Sequence, residues 1–184
     1  VTAFFNIITA DTVADSGSYE WGSTVTHAYL PQENSEFFKG DDNLMDWLRQ
    51  YVPDHVKDVD EPFLRGFLGK MLFSGDDVLK KTNVLSGGEK VRCMLSRMML
   101  QNPNVILLDQ PTNHLDLESI QSFNEQCTNY NGIVLLTSHD HTFMQTVANR
   151  VIELTPNGII DRLMEFDEYL ADERVKGFKE EMYK

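Results

Sequence analysis

Two stretches of the chain carry residue types that could do chemistry together. Leu85-Ser86-Gly87-Gly88-Glu89 opens an amphipathic pattern, and the apolar run Val105-Ile106-Leu107-Leu108 ends in Asp109-Gln110 and continues as Pro111-Thr112-Asn113-His114-Leu115-Asp116. A serine hydroxyl and two glycines at a helix start leave unpaired backbone N–H groups at the positive end of the helix dipole, which favours an anion such as phosphate. An aspartate at the end of a buried strand can hold a magnesium ion. Ser138-His139-Asp140 follows a second apolar run, Ile133 to Leu136, and Gln32 follows a third that Pro31 breaks. In open parallel sheets ligands bind outside the carboxyl ends of the strands, so Gln32, Asp109 with Gln110, and His139 are expected at such ends.

Nucleotide hydrolysis needs a carboxylate to anchor magnesium, a group to orient or deprotonate the attacking water, and donors aimed at the leaving phosphoryl charge. Asp109 suits the first role and His139 the last, while Gln32 could touch magnesium or the water. Position 110 is where the general base belongs, and Gln110 is an amide that accepts no proton near neutral pH. The base contribution of about 10²–10⁴-fold is then missing. An amide still holds a water by hydrogen bonds, so the residue set favours binding without turnover.

The elements around these residues follow from spacing. Ser86 and Glu89 have the S-x-x-E spacing of a capping box. Val91, Met94, Leu95, Met98 and Met99 then repeat as one apolar helix face. Val105 to Leu108 reads as a strand buried on both faces. Leu117 to Cys127 reads as a helix capped by Asp116, which with Ile133 to Leu136 makes a strand, helix, strand crossover of parallel type. A further helix is expected to about Ala148. Val151 to Leu154 and Ile159 to Arg162 flank Pro156-Asn157-Gly158 as a hairpin, and Phe166 to Lys184 reads as a charged helical tail, solvated on most of its surface. Upstream, Phe4, Phe5, Ile7 and Ile8 have helical spacing. Ser18 to Trp21 and Val25 to Leu30 are rich in strand formers. Asn43 to Lys81 carries two helical patterns and reads as a small inserted helical subdomain, at about residues 40–83.

A length of 184 residues with 41% hydrophobic content suits one domain with a packed core. The 16 basic and 29 acidic residues give a net charge of -13 without a basic block, so this surface does not grip nucleic acid unaided. No apolar run approaches the ~18 residues of a membrane span, and the start has no secretory leader, so the expectation is a soluble chain. Cys93 and Cys127 are expected as reduced, buried thiols.

Together the motifs resemble the nucleotide-binding domain of the ABC ATPase superfamily. The matching pieces are a Q-loop at Gln32, the signature Leu85-Ser86-Gly87-Gly88-Glu89, a Walker B strand ending in Asp109, a D-loop around Leu115-Asp116, and a switch at His139. Asp109 to Asp116, with Asn113 and His114 where most transporters have smaller residues, resembles the ABC-F class. The resemblance covers nearly all of residues 1–184. It implies a P-loop NTPase-like α/β fold with a parallel core sheet and an inserted helical subdomain. The hairpin and helix at about 151–184 are similar to the end of a C-terminal nucleotide-binding domain. It implies ATP and Mg²⁺ as cofactors, with Asp109, Gln32 and His139 facing this domain's ATP. Ser86, Gly87 and Gly88 would contact the γ-phosphate of ATP held by a second nucleotide-binding domain of the same polypeptide, and Asp116 of the D-loop is taken as a further ATP-binding residue.

Two departures bear on these expectations. The family pattern has a catalytic glutamate where this chain has Gln110, a replacement familiar as a way to trap the ATP-bound closed form. It is taken as an introduced change, with hydrolysis absent or very slow. The P-loop pattern G-x-x-x-x-G-K-[ST] is also missing: Thr2 lies where its magnesium-binding hydroxyl would be and Val1 where the lysine would be, as in a fragment or a chain closed up around Val1. ABC-F proteins are soluble, cytoplasmic translation or antibiotic-resistance factors. The resemblance therefore implies the ribosome, with its rRNA and tRNA, as a partner reached through parts outside this chain, and no membrane. The alternative is the nucleotide-binding subunit of an ABC membrane transporter. A genome-maintenance ATPase head is disfavoured, since no long coiled coil lies between Gln32 and Leu85.

Overall fold

Three apolar runs form one parallel sheet in the computed structural model, which describes residues 1–184. Strands β1 (His27–Leu30), β2 (Val105–Asp109) and β3 (Ile133–Thr137) lie side by side in that order. The register pairs Leu30 with Leu108, and Asp109 with Thr137. All five residues of β2 are buried, as a central strand covered on both faces requires. The chain passes from β2 to β3 through helix α5 (Leu117–Thr128), whose start is fixed by Asp116: its carboxylate accepts the Ser119 N–H at 2.8 Å.

Helix α4 (Gly87–Gln101) carries the core between the sheet and the helical layer. Its first turn is a closed capping box, in which the Ser86 hydroxyl accepts the Glu89 N–H at 3.3 Å and the Glu89 carboxylate accepts the Ser86 N–H at 2.8 Å. Asn102 ends the helix in the left-handed conformation, φ 45°. Val91, Cys93, Met94, Leu95, Met98 and Leu100 are buried along it. They join Leu44, Trp47 and Leu48 of α2 (Leu44–Arg49) and Leu64 and Leu68 of α3 (Glu61–Lys70) in one core. The segment holding α2 and α3 leaves and returns at neighbouring points, where Leu44 N–H donates to Lys80 O (3.1 Å) and Thr82 N–H to Asp42 O (2.9 Å). Polar ties fasten it to α4: Arg92 donates to Met71 O at 3.1 Å and the Ser96 hydroxyl to Phe67 O at 3.2 Å. Both cysteines are free and buried; burial raises the Cys93 thiol strongly and pushes the Cys127 thiol up to about 12.

One expected strand does not form. Ser18 to Trp21 has no regular structure, and the strand after it begins only at His27. Strand-forming residues need a neighbour to satisfy their backbone groups, and no strand lies beside this run. Trp21 stacks instead on His27, with ring centroids 4.8 Å apart, and donates its indole N–H to Ile8 O at 2.7 Å. That bond pins α1 (Thr2–Ile8), whose Phe5 packs against Val105 and Leu107.

After β3 come α6 (His141–Val147), the antiparallel hairpin of β4 (Val151–Thr155) and β5 (Gly158–Arg162), then α7 (Phe166–Ala171) and α8 (Glu173–Met182). The tail is solvated on most of its surface but anchored along one face, where Tyr169 and Val175 bury against Ile160. Glu153 on β4 is the polar anchor. It accepts the hydroxyls of Tyr169 (2.7 Å) and Tyr183 (2.8 Å) and pairs with Lys179 (2.7 Å). Burial alone would raise its pKa, yet these donors outweigh it and hold the carboxyl below its ordinary value of 4.5. A depressed folded-state value makes this contribution fully present above about pH 4.5 and lost as pH falls through the folded value. Glu153→Gln is expected to cost about 1–3 kcal/mol at pH 7 and to flatten the acid limb of the stability curve, as chemical denaturation at several pH values would show.

Candidate functional site at the carboxyl end of the sheet

A cleft of about 280 Å³ opens where the three strands end, bounded by Val1, Thr2, Gln32, Asp109, Gln110, Asn113, Thr137 and His139. Each wall residue has a local cause. Gln32 is carried out of β1 by Pro31, Asp109 closes β2, and His139 lies two residues beyond β3. Thr2 begins α1, which the Phe5 contacts hold against β2.

Asp109 is 2% exposed. Its Oδ1 accepts the Thr137 hydroxyl at 3.0 Å, while Oδ2 is buried with no hydrogen-bond donor. Gln110 sits in the left-handed region at φ 54°, where a side chain with a Cβ is strained. Its N–H is shared between Thr137 O at 3.0 Å and Thr137 Oγ1 at 3.3 Å, and its side-chain Oε1 is buried without a donor. Orphaned acceptors are costly inside a fold, and here two of them belong to adjacent residues of one cleft. Behind them, the Tyr29 hydroxyl donates to Asn6 Oδ1 at 3.3 Å. Burial first, then the negative charges of Asp109 and Asp11 and a side-chain interaction with the nearby Asp109 carboxylate, push the Tyr29 hydroxyl up to about 12, although its hydrogen bond goes to Asn6 and not to Oδ2. The site thus holds a buried carboxylate and two acceptor oxygens that no donor of the cleft engages.

These residues fit a small hard cation. Asp109 Oδ2 is a buried carboxylate oxygen awaiting a partner, and Thr2 and Gln32 bring neutral oxygens to the same cleft. No group of three His, Cys, Asp or Glu side chains converges anywhere in the structure. Mg²⁺ suits such a donor set, since it takes one or two carboxylates and fills its octahedron with water and phosphate oxygens.

His139 is exposed, but its backbone is fixed from both sides. Ser138 Oγ lies 3.1 Å from Thr112 Oγ1 and accepts the Asp140 N–H at 3.0 Å, and Asp140 caps α6 by accepting the Phe143 N–H at 2.9 Å. The imidazole is therefore presented at the cleft on a loop fastened by these bonds.

Ser86, Gly87, Gly88 and Asp116 do not line this cleft. Ser86 and Gly87 lie exposed at the start of α4. His114 covers the glycines: its side chain is 3.8 Å from where a Gly87 Cβ would stand, and its carbonyl oxygen would be only 2.5 Å from a Gly88 Cβ. The Asp116 carboxylate is held below its ordinary range by its bonds to Ser119, as a helix cap. The candidate residues thus fall into two groups, one inside the cleft and one on an outward surface beside it.

Thr137 and Tyr29 belong to the surroundings of the site without any mark in the sequence, and Asn113, notable there only as a class feature, also lines the cleft. A threonine ending an apolar run next to Ser138-His139 is the only signal that could have marked Thr137. A larger opening of about 420 Å³, lined by residues such as Phe67, Met98, Phe123 and Tyr130, lies at the amino ends of the strands, away from the chemistry.

Residues 2–113 match the family model described as ABC transporter. The chain is 57% identical over 184 residues to the uncharacterized ABC transporter ATP-binding protein YkpA of Bacillus subtilis (strain 168), a match that covers 100% of this chain and 34% of that protein. It is 36% identical over 169 residues to the probable ATP-binding protein YbiT of Escherichia coli O157:H7, covering 92% of this chain and 31% of that one. The chain therefore spans about a third of the length of these relatives. Among solved structures, archaeal ribosome recycling factor aABCE1, in complex with stalk protein aP1, superimposes with a TM-score of 0.70 at 19% identity, over 100% of this chain and 41% of that chain. An ATP-binding cassette solved as a dimer with ADP and Pi gives a TM-score of 0.60 at 20% identity, over 77% of this chain and 64% of that chain. Both likenesses are of fold: the α/β architecture is that of P-loop ABC nucleotide-binding domains. No helix is long and apolar enough to cross a membrane. With a family match over more than half of its residues, the chain belongs to the ABC transporter family as an ATP-binding domain, a class of domain that hydrolyses ATP.

Proposed function

We propose that this chain is the C-terminal nucleotide-binding domain of a two-domain ABC-F protein that acts on the ribosome, and that it binds ATP with Mg²⁺ but hydrolyses it very slowly or not at all. The observation that carries the nucleotide reading is the pair of buried, donor-free oxygens, Asp109 Oδ2 and Gln110 Oε1, in the cleft that His139 and Gln32 also face. Asp109, Thr2 and Gln32 would hold the cation, which when bound neutralises phosphoryl oxygens. His139 would donate toward the developing charge on the transferred group. Gln110 would hold a water by hydrogen bonds without taking its proton, so the closed form persists.

Ser86, Gly87 and Gly88, together with Asp116, would meet nucleotide bound to a second domain. The exposure of Ser86 and Gly87 at the α4 start supports that outward role. The reading requires a phosphate loop with a lysine and a second domain, neither of which is among these 184 residues. The run Asp109 to Asp116, with Asn113-His114, supports the ABC-F class. One structural neighbour is a ribosome recycling factor, in keeping with a ribosomal partner. Such a protein would work in the cytoplasm. A transporter subunit is the second reading, favoured by the family's name and by the name of the Bacillus subtilis relative.

Co-sedimentation of the intact protein with ribosomes, with ATP and without it, separates the two. ATP-dependent pelleting is expected. Absence of binding in both conditions, together with a transmembrane domain encoded in or beside the same gene, would sink the ribosomal reading.

A further inference from the structure

We propose that Thr137 is a positioning residue for the cation site: its hydroxyl aims the Asp109 carboxylate. The inference rests on Asp109 being the cation anchor and adds a residue that sets how the anchor is presented. Thr137 is the last residue of β3 and stands directly opposite Asp109 in the sheet register. A hydroxyl has one proton to give, and Thr137 gives it to Asp109 Oδ1 at 3.0 Å. One carboxylate oxygen is thereby engaged, and Oδ2 is left as the buried oxygen without a donor.

Thr137 also holds the neighbouring residue. Its carbonyl and its hydroxyl both accept the Gln110 N–H, at 3.0 and 3.3 Å, and so fasten the left-handed backbone at φ 54°. One side chain thus links the orientation of the anchor to the placement of the residue at the water position. A strand end against a buried partner is equally well served by valine, which has the same β-branched shape and would keep the carbonyl bond to Gln110, so the hydroxyl is needed only for the bond to Asp109 Oδ1 and the longer bond from the Gln110 N–H. Ser138 does not share this role, because its hydroxyl is turned to Thr112 and to the Asp140 N–H.

Outer bonds that orient a metal ligand are worth about 10–100-fold in metal affinity. Mn²⁺ binding to the intact protein in the presence of ATP, followed by electron paramagnetic resonance, is the test. Thr137→Val is expected to weaken Mn²⁺ by about 10–100-fold and Thr137→Ser to restore it, while ATP affinity measured in EDTA stays unchanged for both. A role in packing alone would not separate the metal-dependent from the metal-free measurement. Should Thr137→Val fail to fold, Thr137→Ala against Thr137→Ser makes the same comparison. Wild-type Mn²⁺ affinity in Thr137→Val, or equal losses in the valine and serine variants, would overturn the proposal. Asp109→Asn separates the two levels. If it abolishes Mn²⁺ binding while Thr137→Val does not, only the positioning role is wrong; if Asp109→Asn binds Mn²⁺ normally, the anchor reading itself fails.

Discussion

Replacing Gln110 with glutamate in the intact protein is expected to raise the rate of phosphate release by about 10²–10⁴-fold, equivalent to roughly 3–5 kcal/mol off the barrier. The side chains are nearly isosteric, so the left-handed backbone at φ 54° and its bonds to Thr137 can persist. What changes is the ability to take a proton from water. The new carboxylate would stand beside the buried charge of Asp109, and like charge together with burial raises a carboxyl's proton affinity toward the range useful for a base. The ATP-bound closed form should become correspondingly shorter-lived. Single-turnover phosphate release measures the effect directly, and an unchanged rate would show that position 110 is not the missing base.

Gly88→Ala should cost about 1–3 kcal/mol of stability and abolish the proposed ATP-driven closure on a second domain. A Cβ at this position would stand 2.5 Å from the His114 carbonyl oxygen. Neither side yields easily: Gly88 is in the capped first turn of α4, and His114 lies in the short loop that Asp116 fastens to α5. The alanine must push one of them away, and both carry residues proposed to meet the second domain's nucleotide. Gly66→Ala is the contrast. Its Cβ meets nothing within 4 Å in α3, so it should stabilise the helix by about 0.5–1 kcal/mol. Denaturation curves of the two variants, with an interdomain distance measurement with and without ATP, check both halves of the prediction.

Much of this arrangement was legible in the sequence because local patterns and global fold agree. Val105 to Leu108 is continuous and apolar because β2 is covered on both faces. Ser86-Glu89 and Asp116 announce helix starts through side chains that serve as caps. Once those strands are parallel, Gln32, Asp109 and His139 must fall at one end, and the cleft gathers them. The parts that stayed hidden depend on contacts between distant segments. Thr137 reads as an ordinary strand residue until the register sets it against Asp109. The left-handed turn at Gln110 has no local sign, since glycine or asparagine is the usual occupant of that conformation. The need for glycine at position 88 comes from a carbonyl 26 residues away in the chain. Ser18 to Trp21 misled for the converse reason: its strand propensity is real, but no neighbouring strand lies beside it to pair with.

If the cleft at the strand ends is a nucleotide and magnesium site anchored by Asp109, a structure of the intact protein with ATP and Mg²⁺ will show it. The expected result is a cation at Asp109 Oδ2, phosphate oxygens between it and His139, and a water against the Gln110 amide. Nucleotide bound elsewhere, with Asp109 Oδ2 still lacking a partner, would contradict it.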